Sequence, residues 1–342
     1  MVASKKTIVL YAFLVCFLLI LFVVNISLGS VSIPLIDIIK GVFGQKMSKE
    51  SWDIIFFNFR LPKALTALFT GIALSISGLL MQTLFRNPLA GPYVLGLTSG
   101  ASLGVGFLIL GSSFLPAFVA SFFMSSYGIV LTSGMGSAVV LLAILFVSKK
   151  IKDTTSILLV GLMFGSFSSA VVSILTYFST AQELQKFTFW TLGSLANLGW
   201  HEIVILAVIT CLGIGISFLV IKPLDALLLG ERYAQSVGIN FKKTRFLIIL
   251  ATSLLAGGIT AFVGPIAFIG LAVPHLAKLL FQTSNHLTLF FSTLLLGAII
   301  LLLCDCIAQL PGSHITLPIN AVTSVLGAPI VIWLLVKKRN FN

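Results

Sequence analysis

Residues Arg60–Gly104 read RLPKALTALFTGIALSISGLLMQTLFRNPLAGPYVLGLTSGASLG. The segment contains two apolar runs separated by a turn that includes Arg86, Pro88 and Pro92. The first run is long enough to cross the hydrocarbon core of a bilayer, which takes about 20 residues of α-helix. Glycine and serine recur along both runs, and small residues let membrane helices approach one another closely. The segment therefore predicts two packed membrane helices.

The rest of the chain repeats this pattern of apolar runs and short loops. Of the 342 residues, 58 % are hydrophobic and 9 % are charged, a composition typical of membrane proteins. The loops are too short to bury a core of their own, so we predict one all-α, polytopic membrane domain over residues 1–342. Its ten expected transmembrane helices are Thr7–Leu28, Pro62–Gln82, Tyr93–Gly111, Tyr127–Val147, Thr155–Tyr177, His201–Val220, Phe246–Val263, Ile266–Leu280, Leu287–Ala308 and Ile319–Val336.

The basic residues predict which side of the membrane holds the chain termini. Ten crossings place both termini on one side, and a cytoplasmic position for them puts 15 of the 21 Lys and Arg residues inside. The positive-inside rule favours this orientation. We therefore expect a multi-pass protein of the inner (plasma) membrane with both termini cytoplasmic. The same loops explain the formal net charge of +12, so no nucleic-acid partner is expected.

Several kinds of site are missing from the sequence. No Gly-x-x-x-x-Gly-Lys-Ser/Thr phosphate loop occurs, so the chain does not bind ATP by that route. Carriers driven by ion gradients usually need ionisable groups at membrane depth. Almost all of the nine acidic residues fall in loops or at span ends, and only Asp305, one turn from the end of its span, could qualify. Cys304 and Cys306 have no histidine at ligand spacing. We expect no catalytic residue, no metal site and no cofactor.

The segment over residues 222–245 is the most informative loop. Pro223 can begin a short helix, Gly230 breaks it, and Glu231 begins a second short piece that Gly238 ends. Such an element is too short to span the membrane and too apolar to stay free in water. It predicts docking onto a cytoplasmic partner, and the alternative is an amphipathic segment lying on the membrane surface.

Two stripes of small residues mark close helix packing or a transport path. The third span carries Gly96, Gly100 and Gly104 at intervals of four residues, for which helix packing is the favoured interpretation. The fifth span carries a stripe with hydroxyl groups, for which packing and a lining role in the translocation path are equally favoured. That second stripe consists of Gly161, Gly165, Ser169 and Ser173.

Five motifs follow one another along the chain. They are Arg60–Lys63, GIALSISGLLMQTLFRNPLAGPYVLGLTSGASLG from Gly71, LLLGERYAQSVGI from Leu227, GPIAFIGLAVPHLAK from Gly264 and GAPIVIWLL from Gly327. In this order, the motifs resemble those of the FecCD/BtuC-like permeases, which are the membrane subunits of ABC importers for iron-siderophore complexes, haem and cobalamin. The resemblance covers nearly the whole chain after the first span.

The resemblance implies a fold and a set of partners. The fold is the BtuC-like permease fold, with ten helices per subunit. The partners are a second permease in a homodimer or heterodimer, two cytoplasmic ABC ATPase subunits, and a periplasmic or lipid-anchored substrate-binding protein. The cargo is a metal chelate. An ATPase in separate subunits agrees with the missing phosphate loop.

The resemblance also implies roles for particular residues. Arg60 and Lys63 match two basic positions that meet acidic residues of the binding protein at the outer face, and the alternative is anchoring of a helix start. Gln309 departs from the family, in which arginine often follows the Asp-x-x-Ala pattern that begins here at Asp305. The loop residues expected to couple to the ATPase are Leu227, Leu228, Gly230, Glu231, Arg232, Ala234 and Gly238.

We therefore predict a transport subunit of an ABC importer rather than an enzyme. Iron-siderophore complexes are the expected cargo, with cobalamin or haem as alternatives. A competing prediction from another class is a secondary transporter that works alone on an ion gradient, which the scarcity of buried charges disfavours. A membrane scaffold without transport activity is the third, and the glycine-interrupted helices disfavour it.

Overall fold

The computed structural model describes residues 5–112, 126–151, 153–309 and 315–339, and over these ranges the chain is helical without a β-strand. The helices have the following bounds: α1 Lys5–Ser27, α2 Leu35–Val42, α3 Glu50–Ile55, α4 Leu61–Leu84, α5 Leu97–Ile109, α6 Ser126–Lys150, α7 Thr154–Phe178, α8 Ala181–Thr191, α9 Trp200–Leu219, α10 Ile221–Leu228, α11 Glu231–Ser236, α12 Phe241–Thr252, α13 Gly258–Val263, α14 Ile269–Phe281, α15 His286–Ala308 and α16 Ile319–Arg339.

The helices correspond to the predicted membrane spans. Within the described ranges, seven helical stretches are long and apolar enough to cross a membrane, and three further apolar helices are shorter. Two of these short helices, α5 and α14, have 13 residues each and begin after a residue with positive φ, Gly96 at 72° and Phe268 at 66°. The prediction of an all-α membrane protein with about ten spanning helices is confirmed.

Helix α4 is the central element of the bundle. It continues from α3 through a π-helical turn to form one helix over Glu50–Leu84. In the 18-residue apolar stretch of this helix, 83 % of the residues are buried. α4 packs against α9, α12, α14 and α15. A side chain at Gly71 would overlap the backbone of Gly297 on α15, and one at Gly78 would overlap Gly270 on α14. Glycine therefore permits direct contact between helix backbones along α4.

A second set of close contacts joins α5 to its neighbours. A Cβ at Gly100 would lie 2.6 Å from the carbonyl oxygen of Gly136 on α6, and one at Gly104 would overlap the Thr132 carbonyl. Gly96, at the start of α5, lies against Gly161 of α7. The packing interpretation of the third-span glycine stripe is confirmed.

The antiparallel helices α4 and α15 define two ends of the molecule. The last turn of α4, the start of α15 and the short helices α10 and α11 lie at one end, which we call the α10–α11 end. The start of α4, the last turn of α15 and helices α2 and α3 lie at the other, which we call the α2–α3 end. The candidate functional residues fall at these two ends and along α7.

Candidate functional site

Helices α10 and α11 take up the centre of the predicted loop over residues 222–245. α10 packs against α4 and α15, and α11 packs on α10. Gly230, between the two helices, has a φ of 120°, and Gly238, after α11, has a φ of 86°. Both values lie in a region that residues with a side chain rarely adopt. The two glycines predicted as breaks therefore end the short helices.

The two short helices have one face against the bundle and one face exposed. Leu224, Leu227 and Ala234 are buried, so two of the predicted coupling residues, Leu227 and Ala234, hold the element in place. Several exposed apolar side chains on such a small element are typical of a protein contact surface. We call the exposed side chains, four of them apolar and one basic, the α10–α11 patch, and it consists of Leu228, Leu229, Arg232, Tyr233 and Val237.

Gly230 also lies beside a basic side chain. A Cβ at this position would lie 3.5 Å from the Arg86 guanidinium, which follows the C-terminal end of α4. Glu231, partly exposed, is in the first turn of α11, where a carboxylate interacts favourably with the helix dipole. A larger residue at position 230 would meet both backbone strain and Arg86.

A hydrogen-bond network around the buried ring of His286 attaches α10 to the bundle. One carboxylate oxygen of Asp225, on α10, accepts from the backbone N–H of His286 at 2.8 Å and lies 2.8 Å from ring nitrogen Nδ1. The other ring nitrogen lies 2.9 Å from the hydroxyl of Thr83, at the end of α4. Sequence reasoning missed this network, because Asp225 and Thr83 are 61 and 203 residues away from His286 and no local pattern joins them.

At the α2–α3 end, the Arg60 side chain is buried. Its guanidinium donates to the backbone carbonyl oxygens of Ile26 at 3.1 Å, Ser27 at 2.9 Å and Val31. These acceptors are the orphan carbonyls at and after the C-terminal end of α1. The contacts are those of an anchored helix start, and docking of a binding protein at Arg60 stays a prediction.

Lys63 forms an ion pair within the same end. Its Nζ atom lies 2.9 Å from Asp305 near the end of α15, and about a fifth of the Lys63 side chain is exposed. Asp305 is buried and also accepts from Asn25 Nδ2 and Gln309 Nε2, each at 2.9 Å. Gln309, where the resemblance led us to expect arginine, thus contributes a neutral donor to Asp305. The docking role of Lys63 also stays a prediction.

The stripe on α7 divides into a packed part and an open part. Gly161 is buried against the backbone of Val94 and Leu95, and Gly165 is partly buried beside Ser99. Ser169 and Ser173 are exposed in the single chain, and the Ser173 hydroxyl donates to the Ser169 carbonyl. The packed part accounts for the glycines, while the exposed serines are free to face a second subunit or a path.

The motifs, the helix arrangement and the short helices at one end agree with a comparison to known proteins. Residues 17–337 match the FecCD transport family. The chain belongs to this family. It is a multi-pass membrane permease of the ABC importer class, a class whose permeases act with a separate ATPase and a substrate-binding protein.

Individual relatives cover almost the whole chain. It is 33 % identical to the hemin transport system permease protein HmuU of Yersinia pestis, over 94 % of this chain and 95 % of that protein. It is 34 % identical to the vitamin B12 import system permease protein BtuC of Citrobacter koseri, over 84 % of each chain. A solved structure described as an inward-facing metal-chelate type ABC transporter superimposes with a TM-score of 0.83 at 29 % identity, over 96 % of this chain and 99 % of that one.

Proposed function

We propose that this FecCD-family chain forms half of the translocation path of an importer for iron-siderophore complexes. The α10–α11 patch carries the proposal, because exposed leucines on a short element call for a partner, and an ABC importer supplies one in its ATPase. The proposed contact residues are Leu228, Arg232 and Glu231. Leu227, Ala234, Gly230 and Gly238 hold the short helices in the required shape.

The orientation and the assembly follow from this contact. The α10–α11 end faces the cytoplasm, which also places both termini there, in agreement with the distribution of basic residues. Two permeases, identical or closely related, associate through exposed apolar helix faces and enclose a path between them. The exposed serines of α7, Ser169 and Ser173, line the path, because hydroxyl groups grip a large chelate weakly and allow its release.

The proposed mechanism is alternating access. ATP binding brings the two ATPases together, the short helices move with them, and the path changes the side toward which it opens. The α2–α3 end receives the loaded binding protein, with Lys63 as the basic contact. No chemistry on the cargo is involved.

Reconstitution into proteoliposomes tests the proposal. The chain with its ATPase and binding protein should accumulate cargo only with ATP, and the chain alone should accumulate none. Leu228→Glu in the patch should abolish ATPase binding, whereas Ile36→Glu, at a more exposed position on α2, should leave it intact. Uphill transport by the chain alone would favour an ion-driven carrier and contradict the proposal.

The cargo is tested by uptake of labelled compounds. Ferric siderophores, haem and cobalamin are offered separately, and accumulation of the siderophore complex is expected. Relatives named for hemin and for vitamin B12 have similar identity to this chain, and both of those compounds are metal chelates. Exclusive uptake of haem or cobalamin would overturn the siderophore assignment and retain the importer.

A further inference from the structure

Helices α4 and α15 are joined at three levels. At the α2–α3 end, Lys63 pairs with Asp305 at 2.9 Å. In the middle, Gly71 and Gly297 bring the two backbones into contact. At the α10–α11 end, Thr83 bonds to His286. About 20 residues of helix separate the two ends, a length of roughly 30 Å that matches the hydrocarbon core.

The joint at the α10–α11 end includes the coupling segment itself. His286 is the first residue of α15, and its backbone N–H is one of the donors that a helix start leaves without an intrahelical partner. Asp225 of α10 accepts from that N–H and from Nδ1, so it caps α15 from a different element. Its negative charge also interacts favourably with the dipole of the 23-residue helix.

The ring of His286 is bonded on both sides. With Nδ1 as donor to Asp225, the Thr83 hydroxyl donates to Nε2 of the neutral ring. The same hydroxyl lies 3.1 Å from the Leu79 carbonyl oxygen and can turn its proton there when Nε2 carries one. The link from α10 through His286 to α4 is therefore complete for either form of the ring.

We propose that His286 is a positioning residue that transmits movement of α10 to α4 and α15, which move together as one rigid pair. This inference rests on the proposed function, in which α10 and α11 contact the ATPase. Along the chain, α10 is continuous with α9 through Val220 and with α11 through Leu229 and Gly230, and with neither α4 nor α15. The hydrogen bonds to His286 therefore give α10 a polar link to the central pair beside its packing contacts. A hydrogen bond weakens steeply away from its preferred distance and angle, and a satisfied network is rigid, so these bonds fix the position of α10 relative to α4 and α15.

The test compares two replacements of the same ring in the reconstituted complex with ATPase and loaded binding protein. His286→Asn keeps an amide near the position of Nδ1 and retains the contact to Asp225. His286→Gln places its amide near the position of Nε2 and retains the side-chain contact to Thr83 alone, while the backbone N–H of residue 286 still donates to Asp225 in both variants. Asn285→Ala serves as the control, because Asn285 caps the same helix by accepting from the Thr288 N–H at 3.1 Å and has no bond to Asp225.

The readout is cargo moved per ATP hydrolysed. His286→Gln should lower this ratio about tenfold, the factor expected for one lost hydrogen bond to a charged group, and Asp225→Ala, which removes two, should lower it at least as much. His286→Asn should retain most of it, and Asn285→Ala should leave it unchanged. Equal ratios in all four variants and the wild type, or equal losses in all four, would overturn the proposal.

A second measurement does not involve the ATPase. Thermal unfolding of the purified permease with Asp225→Ala, His286→Gln and both together should show non-additive losses, since both changes remove the bond between Asp225 and Nδ1 and only Asp225→Ala also removes the bond to the backbone N–H. Additive losses would show that Asp225 and His286 are not coupled and would overturn the proposal. If the wild-type complex transports nothing, the proposed function fails. The unfolding comparison of the single and double variants still decides whether the link between Asp225 and His286 exists.

Discussion

Lys63 of α4 and Asp305 of α15 lie 2.9 Å apart, and the carboxylate of Asp305 is almost fully buried. Asn25 of α1 and Gln309 donate to the same carboxylate. The buried carboxylate of Asp305 therefore joins α1, α4 and the end of α15. Lys63 is its cationic partner among the contacts that the structure describes.

Removal of Lys63 should destabilise the protein. Lys63→Ala leaves Asp305 charged without its cation, which costs roughly 3–5 kcal/mol for a buried pair. Lys63→Gln together with Asp305→Asn keeps a hydrogen bond without either charge and should unfold close to the wild-type temperature. Thermal unfolding in detergent measures both. Wild-type unfolding of Lys63→Ala would show that Asp305 does not depend on this cation.

The neutral pair also tests docking at the α2–α3 end. If the charge of Lys63 attracts an acidic binding protein, the Lys63→Gln, Asp305→Asn variant should bind it less tightly, with the largest difference at low salt. Surface binding kinetics across a series of salt concentrations give the comparison. Equal affinity at low ionic strength would remove Lys63 from the docking surface.

Arg60 should be more sensitive to shape than to charge. A lysine there keeps the positive charge but cannot reach three carbonyl oxygens at once, so Arg60→Lys should cost about 2 kcal/mol or more. Arg86→Lys, at an exposed arginine, is the matched control. Full stability of Arg60→Lys with weaker binding of the binding protein would favour the docking role instead.

Alanine at Gly230 should separate backbone strain from coupling. Its φ of 120° predicts a penalty of about 1–3 kcal/mol, and the methyl group would also approach Arg86. Gly44→Ala has a φ of 70° and open space around it at the α2–α3 end. We expect both variants to lose stability and only Gly230→Ala to lose ATPase binding, measured by co-purification. Intact co-purification would place the contact elsewhere.

A large side chain on the exposed serine side of α7 should reduce transport. Ser169→Trp should reduce transport strongly, because it fills space next to the proposed path. Ile174→Trp, on another exposed side of the same helix, should have a small effect, because one large apolar residue replaces another. Uptake per assembled complex is the measure. Similar losses for both variants would contradict a path along the serine side of α7.

Acid should loosen the loop after α2. The Ser48 hydroxyl and backbone N–H donate to Asp37, and together with Lys40 they hold the pKa of Asp37 below its usual value. A lowered pKa stabilises the folded loop above the unfolded-state pKa of about 4, and the contribution is lost as pH falls through the lower folded-state value. Ser48→Ala should move the onset of acid-induced proteolysis in this loop to higher pH. An unchanged onset would contradict the assignment.

Much of the architecture followed from local patterns. Runs of apolar residues predicted the spans, because a helix in lipid must be apolar over the thickness of the bilayer. Glycine residues predicted the close approach of α5 to α6, because two backbones can touch only where no side chain lies between them. They also predicted the turns at Gly230 and Gly238, because a residue without a side chain adopts positive φ readily. The short helices α10 and α11 were predicted for the same reason.

The partners of polar side chains could not be predicted in this way. The resemblance assigned Arg60 to a docking surface at the outer face, and its guanidinium lies against the end of α1. Asp225 and His286 carried no motif. A hydrogen bond depends on which helices become neighbours, and that choice is made by the packing of the entire bundle.

The sequence by itself determined the number and approximate bounds of the spans, the family and the shape of the α10–α11 turn, because hydropathy and backbone freedom are properties of consecutive residues. Only the tertiary structure decided that Lys63 meets Asp305 and that Asp225 meets His286. Each of these contacts joins residues far apart in the chain. The buried carboxylate of Asp305 and the buried ring of His286 are each stable only where packing supplies a polar partner.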